Sequence, residues 1–483
     1  MLFHSVEFLL FFPVVFVLYW ATARWMTAQN CLLLSASYVF YGWWDWRFLI
    51  LIALSSFVDF SIGLLLHRTI NPTARRWQLG ASLAFNIGLL AYFKYSNFFI
   101  IELREAFQLA GITTNMKTLD IILPVGISFY TFQTLSYTVD IYRNRLKPTR
   151  DPIAFCAFVA FFPQLVAGPI ERASQLLPQF SANRKFQYTE GVAGGRLILL
   201  GFFKKLVIAD SCAPVVDHLF ANFDTQSGWV LSLGLFLFAF QIYGDFSGYS
   251  DIARGLAKLL GFELMQNFAF PYFSSSVGEF WRRWHISLST WFRDYVFIPL
   301  GGSRGGTWHV LRNLLVVFTI SGLWHGPSWN FVVWGAINAC LIVPSAVLGA
   351  RSASRSPNIA GGKLVPTISE VGRIAFTFAA ICMTWAFFRS ESLAHACAYL
   401  THMISDAIQH PGGIIVLFNR LVHEQAFHLV MLLVVCEWVA RWERFRFDRC
   451  PVVIRWTLYQ VMFSITIWSA FYRAPSDFLY FQF

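Results

Sequence analysis

An all-α protein threaded many times through a membrane is what this sequence predicts, and three observations carry the prediction. Its 483 residues are 57% hydrophobic and 18% aromatic, with a mean hydropathy of +0.54. Only 13% are charged, against roughly 25% in a soluble domain, and the shortage runs the length of the chain. The 37 Lys and Arg and 26 Asp and Glu leave a net charge of +11, carried in short basic bursts between apolar runs. That is how cytoplasmic loops look, so membrane lipid is an expected partner and nucleic acid is not.

The apolar runs lie near residues 6–20, 30–44, 47–66, 77–100, 120–139, 191–209, 229–244, 310–325, 329–349, 371–388, 427–440 and 453–472. We expect about 11–13 spans of roughly 20 residues each. The first run lacks a basic leader and a small-residue cleavage site, so it reads as a retained span. Arg68, Arg75 and Arg76 follow the third run, and Arg143, Arg145, Lys147 and Arg150 follow the fifth. The positive-inside rule then places both termini outside, with 244–312, Arg351, Arg355, Lys363, Arg373 and the cluster Arg441, Arg444, Arg446, Arg449 and Arg455 inside. The stretch 209–228 carries Asp210, Asp217 and Asp224 without Lys or Arg and reads as outside. This leaves the Pro-broken stretch 153–169 as a re-entrant element, tolerated only where protein buries it or water lines it. The segment "ARSASRSPNIAGGKLVPT" reads as a cytoplasmic linker. No repeat or soluble module is visible, so residues 1–483 are expected to form a single transmembrane domain.

Three near-matches to enzyme signatures fail. "HEQAFH" at 423–428 places its second histidine one residue too late for a zinc site, since i and i+5 diverge by roughly 140° on a helix. "GYSDI" lacks the final glycine of a nucleophile elbow, and "GGSRGG" lacks the lysine and spacing of a phosphate loop. The eight cysteines form no C-x-x-C pair, so neither a disulfide framework nor a metal site is expected.

The densest stretch is "SSSVGEFWRRWHISLSTWFRDYVFIPLGGSRGG", residues 274–306. Ser276 and Glu279 fit a capping box, so a helix should begin there. Trp281, Trp284, His285, Leu288, Trp291, Phe292 and Tyr295 then recur at three-and-four spacing, with Arg282, Arg283, Ser289, Arg293 and Asp294 elsewhere around the axis. This predicts one continuous amphipathic helix, ended by Pro299 and its glycines, of the kind that lies at a membrane surface. His285 on the aromatic side fits a buried neutral ring as well as it fits catalysis. Upstream, Asp245 and Asp251 are expected to cap a helix or pair locally with Arg254. In "SGLWHGPSWN", the Gly326-Pro327 break places His325 at a helix C-terminus. There the dipole favours the protonated ring while burial opposes it. A general base for a hydroxyl and a structural histidine both fit.

Together, "FFPQLVAGPIERASQLLPQF", "QIYGDFSGYSDIARG", "FWRRWHISLSTWFRDYVFIPLGG", "SGLWHGPSWNFVVWG" and "SDFLYFQF" resemble the membrane-bound O-acyltransferase (MBOAT) family over nearly the whole chain. They are most similar to its alginate O-acetyltransferase branch, with teichoic-acid D-alanylation proteins more distant. The resemblance implies a helical bundle around a central tunnel, with re-entrant and interfacial helices. The family's invariant histidine falls on His325 and its second histidine on His285. With these as catalytic residues, Trp281, Trp284, Arg283 and Trp324 are expected to bind substrate. No cofactor is expected to be tightly bound and no metal. Acetyl-CoA or another acyl thioester would arrive from the cytoplasm. The implied setting is the cell inner membrane, with an exported polysaccharide as final acceptor and a periplasmic acetyltransferase as partner. D-alanyl transfer from a carrier protein, or a conduit without chemistry of its own, are the alternatives.

Overall fold

The computed structural model describes residues 1–166, 168–347, 364–441, 450–473, 476, 478 and 479. Most of the 350–367 linker and of the terminal "SDFLYFQF" lies outside the described residues, as do Arg351, Arg355, Lys363, Arg444, Arg446 and Arg449. All regular structure among the described residues is helical. In order these are α1 Val6–Ala21, α2 Met26–Gly42, α3 Phe48–Arg68, α4 Pro72–Leu90, α5 Ser96–Leu109, α6 Ile127–Tyr142, α7 Pro152–Ala160, α8 Phe162–Leu165, α9 Ala173–Phe180 and α10 Tyr188–Phe202. Then follow α11 Asp210–Ala221, α12 Gly228–Leu259, α13 Val277–Arg283, α14 Ile286–Phe292, α15 Thr307–His325, α16 Trp329–Val347 and α17 Ile368–Arg389. The last four are α18 Leu393–Gln409, α19 Gly413–His423, α20 Gln425–Ala440 and α21 Val452–Tyr472.

Every predicted apolar run contains a helix, which makes this a multi-pass membrane protein of the expected all-α class. Length and apolarity together single out α3, α12 and α17 as able to cross alone, and α19 with α20 as one further span bent by 76°. The other runs are shorter, interrupted or less apolar. The run at 120–139, for instance, becomes helical only after Gly126, whose φ of +76° starts α6 abruptly.

The chain forms two compact units, one of residues 1–198 with 250–265 and the other of 199–249 with 266–483. In the first, α3, α4 and α6 share a polar seam. The Asp59 carboxylate accepts from Ser82 Oγ at 2.6 Å and Asn86 Nδ2 at 2.8 Å. A buried carboxylate needs such donors, because nothing else replaces its water. The stretch 152–165 is two helices of nine and four residues, broken at Phe161 and packed into the interior. Neither could cross a core about 30 Å thick.

In the second unit, Lys205 stands between two carboxylates, Asp210 Oδ1 and Asp245 Oδ1, each at 2.9 Å. The same ammonium donates to the Ser476 carbonyl at 2.8 Å, and Asp245 Oδ2 accepts from Leu479 N at 2.8 Å. The expected local partner is therefore corrected for Asp245. Arg254 pairs with Asp251 alone, at 3.3 Å, while the inward-facing Asp245 takes a cation 40 positions earlier. A buried carboxylate needs a counter-charge at hydrogen-bond distance, and Lys205 supplies it.

Orientation is open to direct test. Ser227, in the turn between α11 and α12 at the end of the acidic 209–228 stretch, is half-buried, whereas nearby Thr225 and Ser303 are exposed. On a background with all cysteines replaced, cysteine at Thr225 should react with an impermeant thiol reagent in whole cells. Cysteine at Ser303 should react only after the cells are broken. The opposite pattern would invert the charge-based orientation.

Candidate active site

The segment carrying His285 is held by its ends. Ser276 Oγ caps α13 by accepting from Glu279 N at 3.2 Å. The Glu279 carboxylate accepts in return from Ser275 N and Oγ at 2.9 and 2.8 Å. The reciprocal arm of the box thus lands one residue earlier than the sequence pattern suggests.

The single amphipathic helix expected beyond this point is corrected by the structure. α13 stops at Arg283, Trp284 is extended, and His285 sits at φ +44°, ψ +55° before α14 begins. A non-glycine residue in that region costs on the order of 1–3 kcal/mol and persists only where its surroundings impose it. They do so from upstream. The Asn267 carbonyl accepts from Ile286 N at 3.0 Å and its Oδ1 from Ser287 N at 3.1 Å, while Ala269 N donates to the Arg283 carbonyl at 3.0 Å. The break turns the His285 ring inward, 1% exposed, against the edge of Phe246 with 4.6 Å between ring centroids. Burial pushes its pKa down to about 3, because the site disfavours the charged ring. His285 is thus a neutral imidazole at physiological pH.

His325 is the last residue of α15, and Gly326 leaves the helix in extended backbone. Its ring is caged by Trp324, Trp334 and Phe388, at centroid distances of 4.9, 5.2 and 5.3 Å. The cage depends on α15 and α16 meeting at backbone contact. A Cβ on Gly322 would lie 2.0 Å from the Phe331 carbonyl oxygen, and one on Gly335 would lie 2.2 Å from that of Phe318. Only glycine permits this approach. Asn330 ties the start of α16 to the end of α17, donating through Nδ2 to the Ser390 carbonyl at 2.7 Å.

Both histidines open onto one cavity of about 580 Å³. Trp281 and Trp284 line it as well, and so do Arg282, Arg293, Ser289 and Ser321. Trp324 stays outside the wall and packs against both imidazoles, 6.1 Å from His285 and 4.9 Å from His325 between centroids. Arg283 does not line the cavity. Its Nη2 pairs with Glu279 Oε1 at 3.0 Å, and its Nη1 donates to the Ala269 carbonyl at 3.3 Å. The positive charge at the cavity comes from Arg282 instead, since Arg293, which also lines it, is paired with Asp294 at 2.7 Å. The Glu279–Arg283 spacing of i, i+4 was a visible signal that Arg283 had a local partner. Phe246, which backs His285, had no such signal. Among the described residues no group of acidic, histidine or cysteine side chains is placed to hold a metal.

This is a largely apolar chamber with two imidazoles, three hydroxyls and two guanidinium groups. It suits deprotonation of a hydroxyl beside an anionic reactant, with bulk water held back by tryptophan. Residues 143–388, which include every residue of this wall, match the family model described as "MBOAT, membrane-bound O-acyltransferase family". The protein of Azotobacter vinelandii named "Probable alginate O-acetylase AlgI" is 41% identical over 84% of this chain and 78% of its own length. The "Peptidoglycan O-acetyltransferase" of Helicobacter pylori is 34% identical over 82% and 78%. The "Teichoic acid D-alanyltransferase" of Streptococcus thermophilus is 30% identical over 45% and 56%.

Proposed function

Because this chain belongs to the membrane-bound O-acyltransferase family and is an O-acyltransferase, we propose that it moves acetyl groups from a cytoplasmic thioester, acetyl-CoA or a similar donor, across the inner membrane for O-acetylation of an exported polysaccharide. The observation that carries the reading is the single cavity walled by His285, His325, Arg282 and Arg293. Relatives named for O-acetylation match over more than four fifths of the chain, the D-alanyl relative over 45%, which favours acetyl over D-alanyl transfer. A separate periplasmic acetyltransferase completes delivery to the polymer.

In the proposed reaction His325, neutral at the start, removes the proton of the acceptor hydroxyl. The oxygen attacks the thioester carbonyl to give a tetrahedral adduct. The C–S bond then breaks, and the departing thiolate takes the proton back from the His325 imidazolium. One ester forms, one thioester is lost, and the base is restored without a covalent enzyme intermediate. His285 orients or polarises the thioester carbonyl as a neutral hydrogen-bonding ring. Arg282, with the Asp294-paired Arg293 beside it, faces the anionic part of the donor. Trp281 and Trp284 wall the reacting atoms against water.

The test is transfer from radiolabelled acetyl-CoA, by the purified protein in proteoliposomes, to an acceptor oligosaccharide with and without the periplasmic partner. Transfer should saturate with donor. His285→Gln, which keeps a neutral polar group, should lower kcat by about tenfold to a hundredfold. It should leave the shape of the pH profile unchanged between about pH 5 and 8, because the native ring does not titrate there. Absence of transfer under all these conditions would remove the acetylation reading. Loss of the profile's acid limb in His285→Gln would show that His285 acts as a titrating base.

A further inference from the structure

A second cavity, of about 420 Å³, lies wholly within the first unit and shares no lining residue with the cavity of the two histidines. Arg184, Lys185 and Lys258 line it with Glu190 and Glu263, and Trp20 and Phe262 form its apolar side. Lys258 and Glu190 neutralise each other at 2.5 Å. Lys185 is exposed.

Arg184 is the anomaly. It is 6% exposed, yet among the described residues no carboxylate pairs with it. Its guanidinium is held by neutral oxygens. Nη2 donates to Asn30 Oδ1 at 2.7 Å and Gln29 Oε1 at 3.4 Å, and Nη1 to the Gln179 carbonyl at 3.4 Å. The cation lies 4.9 Å from the Phe262 ring centroid. Its Nε–H finds no acceptor among the described residues. Amide oxygens and a ring face orient a guanidinium but do not cancel its charge, and burying a cation without a counter-ion is costly. The site is built around a fixed positive charge with one donor still to satisfy, beside a second cation that is free to swing in.

We propose that this cavity binds a phosphate ester through Arg184 and Lys185. The planar guanidinium suits phosphate oxygens, and a lysine serves as an added point charge. The volume exceeds that of a phosphate alone and leaves room for the group it esterifies. Two sources supply that chemistry: an anionic phospholipid headgroup and a soluble phosphorylated carrier. The Trp20 indole, anchored by its donation to the Leu259 carbonyl at 3.1 Å, is a side chain typical of the lipid headgroup level.

The test uses the full-length protein purified in a neutral maltoside and reads binding, so it does not depend on acyl transfer. Dioleoylphosphatidylglycerol is compared with dioleoylglycerol by native mass spectrometry. Coenzyme A is compared with pantetheine, which lacks the phosphates, by equilibrium dialysis. We expect one phosphate-bearing probe to bind saturably and better than its phosphate-free counterpart, and the probe that does so identifies the source. Arg184→Gln should weaken that binding by about tenfold and Lys185→Glu by about threefold, the usual scale for losing charge-assisted contacts. If neither phosphate-bearing probe is preferred, or if both variants bind as the native protein does, the proposal fails. Should Arg184→Gln not fold, the exposed Lys185→Glu decides by the same criterion.

Discussion

Alanine in place of His325 should abolish acetylation of the polysaccharide while the protein continues to accumulate in the membrane. The expected loss in rate is about 10²–10⁴-fold, the range that a positioned general base contributes. The two halves of that outcome rest on different parts of the structure. The ring lies at the end of α15 inside a cage of Trp324, Trp334 and Phe388. Removing it leaves space next to a cavity that already exists. Packing around it is set by the glycine contacts of the α15–α16 hairpin, which alanine at 325 does not touch. Quantifying polymer-bound acetate against the membrane level of the variant checks both halves. Normal acetylation at a normal protein level would exclude His325 as the base.

Methionine in place of Lys205 nearly preserves the length of the side chain and should nevertheless destabilise the protein strongly. It leaves the Asp210 and Asp245 carboxylates, each 2% exposed in its side chain, without their shared cation. Breaking a buried pair from one side costs on the order of 3–5 kcal/mol, mainly because the remaining charge has lost its solvation and its partner. The variant should melt at a markedly lower temperature in detergent. Adding Asp210→Asn and Asp245→Asn should recover most of the loss, since the unpaired charges then disappear. The effect should reach the cavity of the two histidines as well. The network holds the Ser476 carbonyl and the Leu479 amide. Phe478 between them packs on Phe246, 6.0 Å away between centroids, and Phe246 backs His285. Activity in the Lys205→Met protein should therefore fall further than its folded fraction. Wild-type melting in the single variant would show that the carboxylates find other neutralisation.

What the sequence made legible, and what it hid, follows from the range of the interactions involved. Hydrophobic runs are local, so each predicted run proved to contain a helix. The Gly326-Pro327 break is local too, and it placed His325 correctly at a helix end. The break at His285 is not local. Trp281, Trp284, Leu288 and Trp291 continue a helical spacing through it, and the interruption is imposed by Asn267 and Ala269 from another part of the chain. Asp245 was hidden for the same reason, because its cation precedes it by 40 residues on a different helix. The choice between Arg282 and Arg283 turns on a local contact. Neighbours on a helix point about 100° apart, so the two cannot share one role, and the i, i+4 spacing to Glu279 already marked Arg283 as the locally paired one. The Glu279 acid four residues before Arg283 resolves it in the structure.

The glycine contacts between α15 and α16 also bear on how the chamber can open. Where two helices touch backbone to backbone, no layer of side chains remains to change rotamer, and carbonyls lock against the opposite Cα positions. Sliding or tilting one helix along the other would force the carbonyl of Phe331 into Gly322. His325 is therefore mounted on a stiff wall that moves as one piece. The facing wall is different in kind: two seven-residue helices hinged at a left-handed histidine and clipped by three backbone-directed hydrogen bonds. If the entrance widens for a bulky donor, the displacement belongs to that hinged side. Turnover would then swing His285 toward and away from a His325 that stays still.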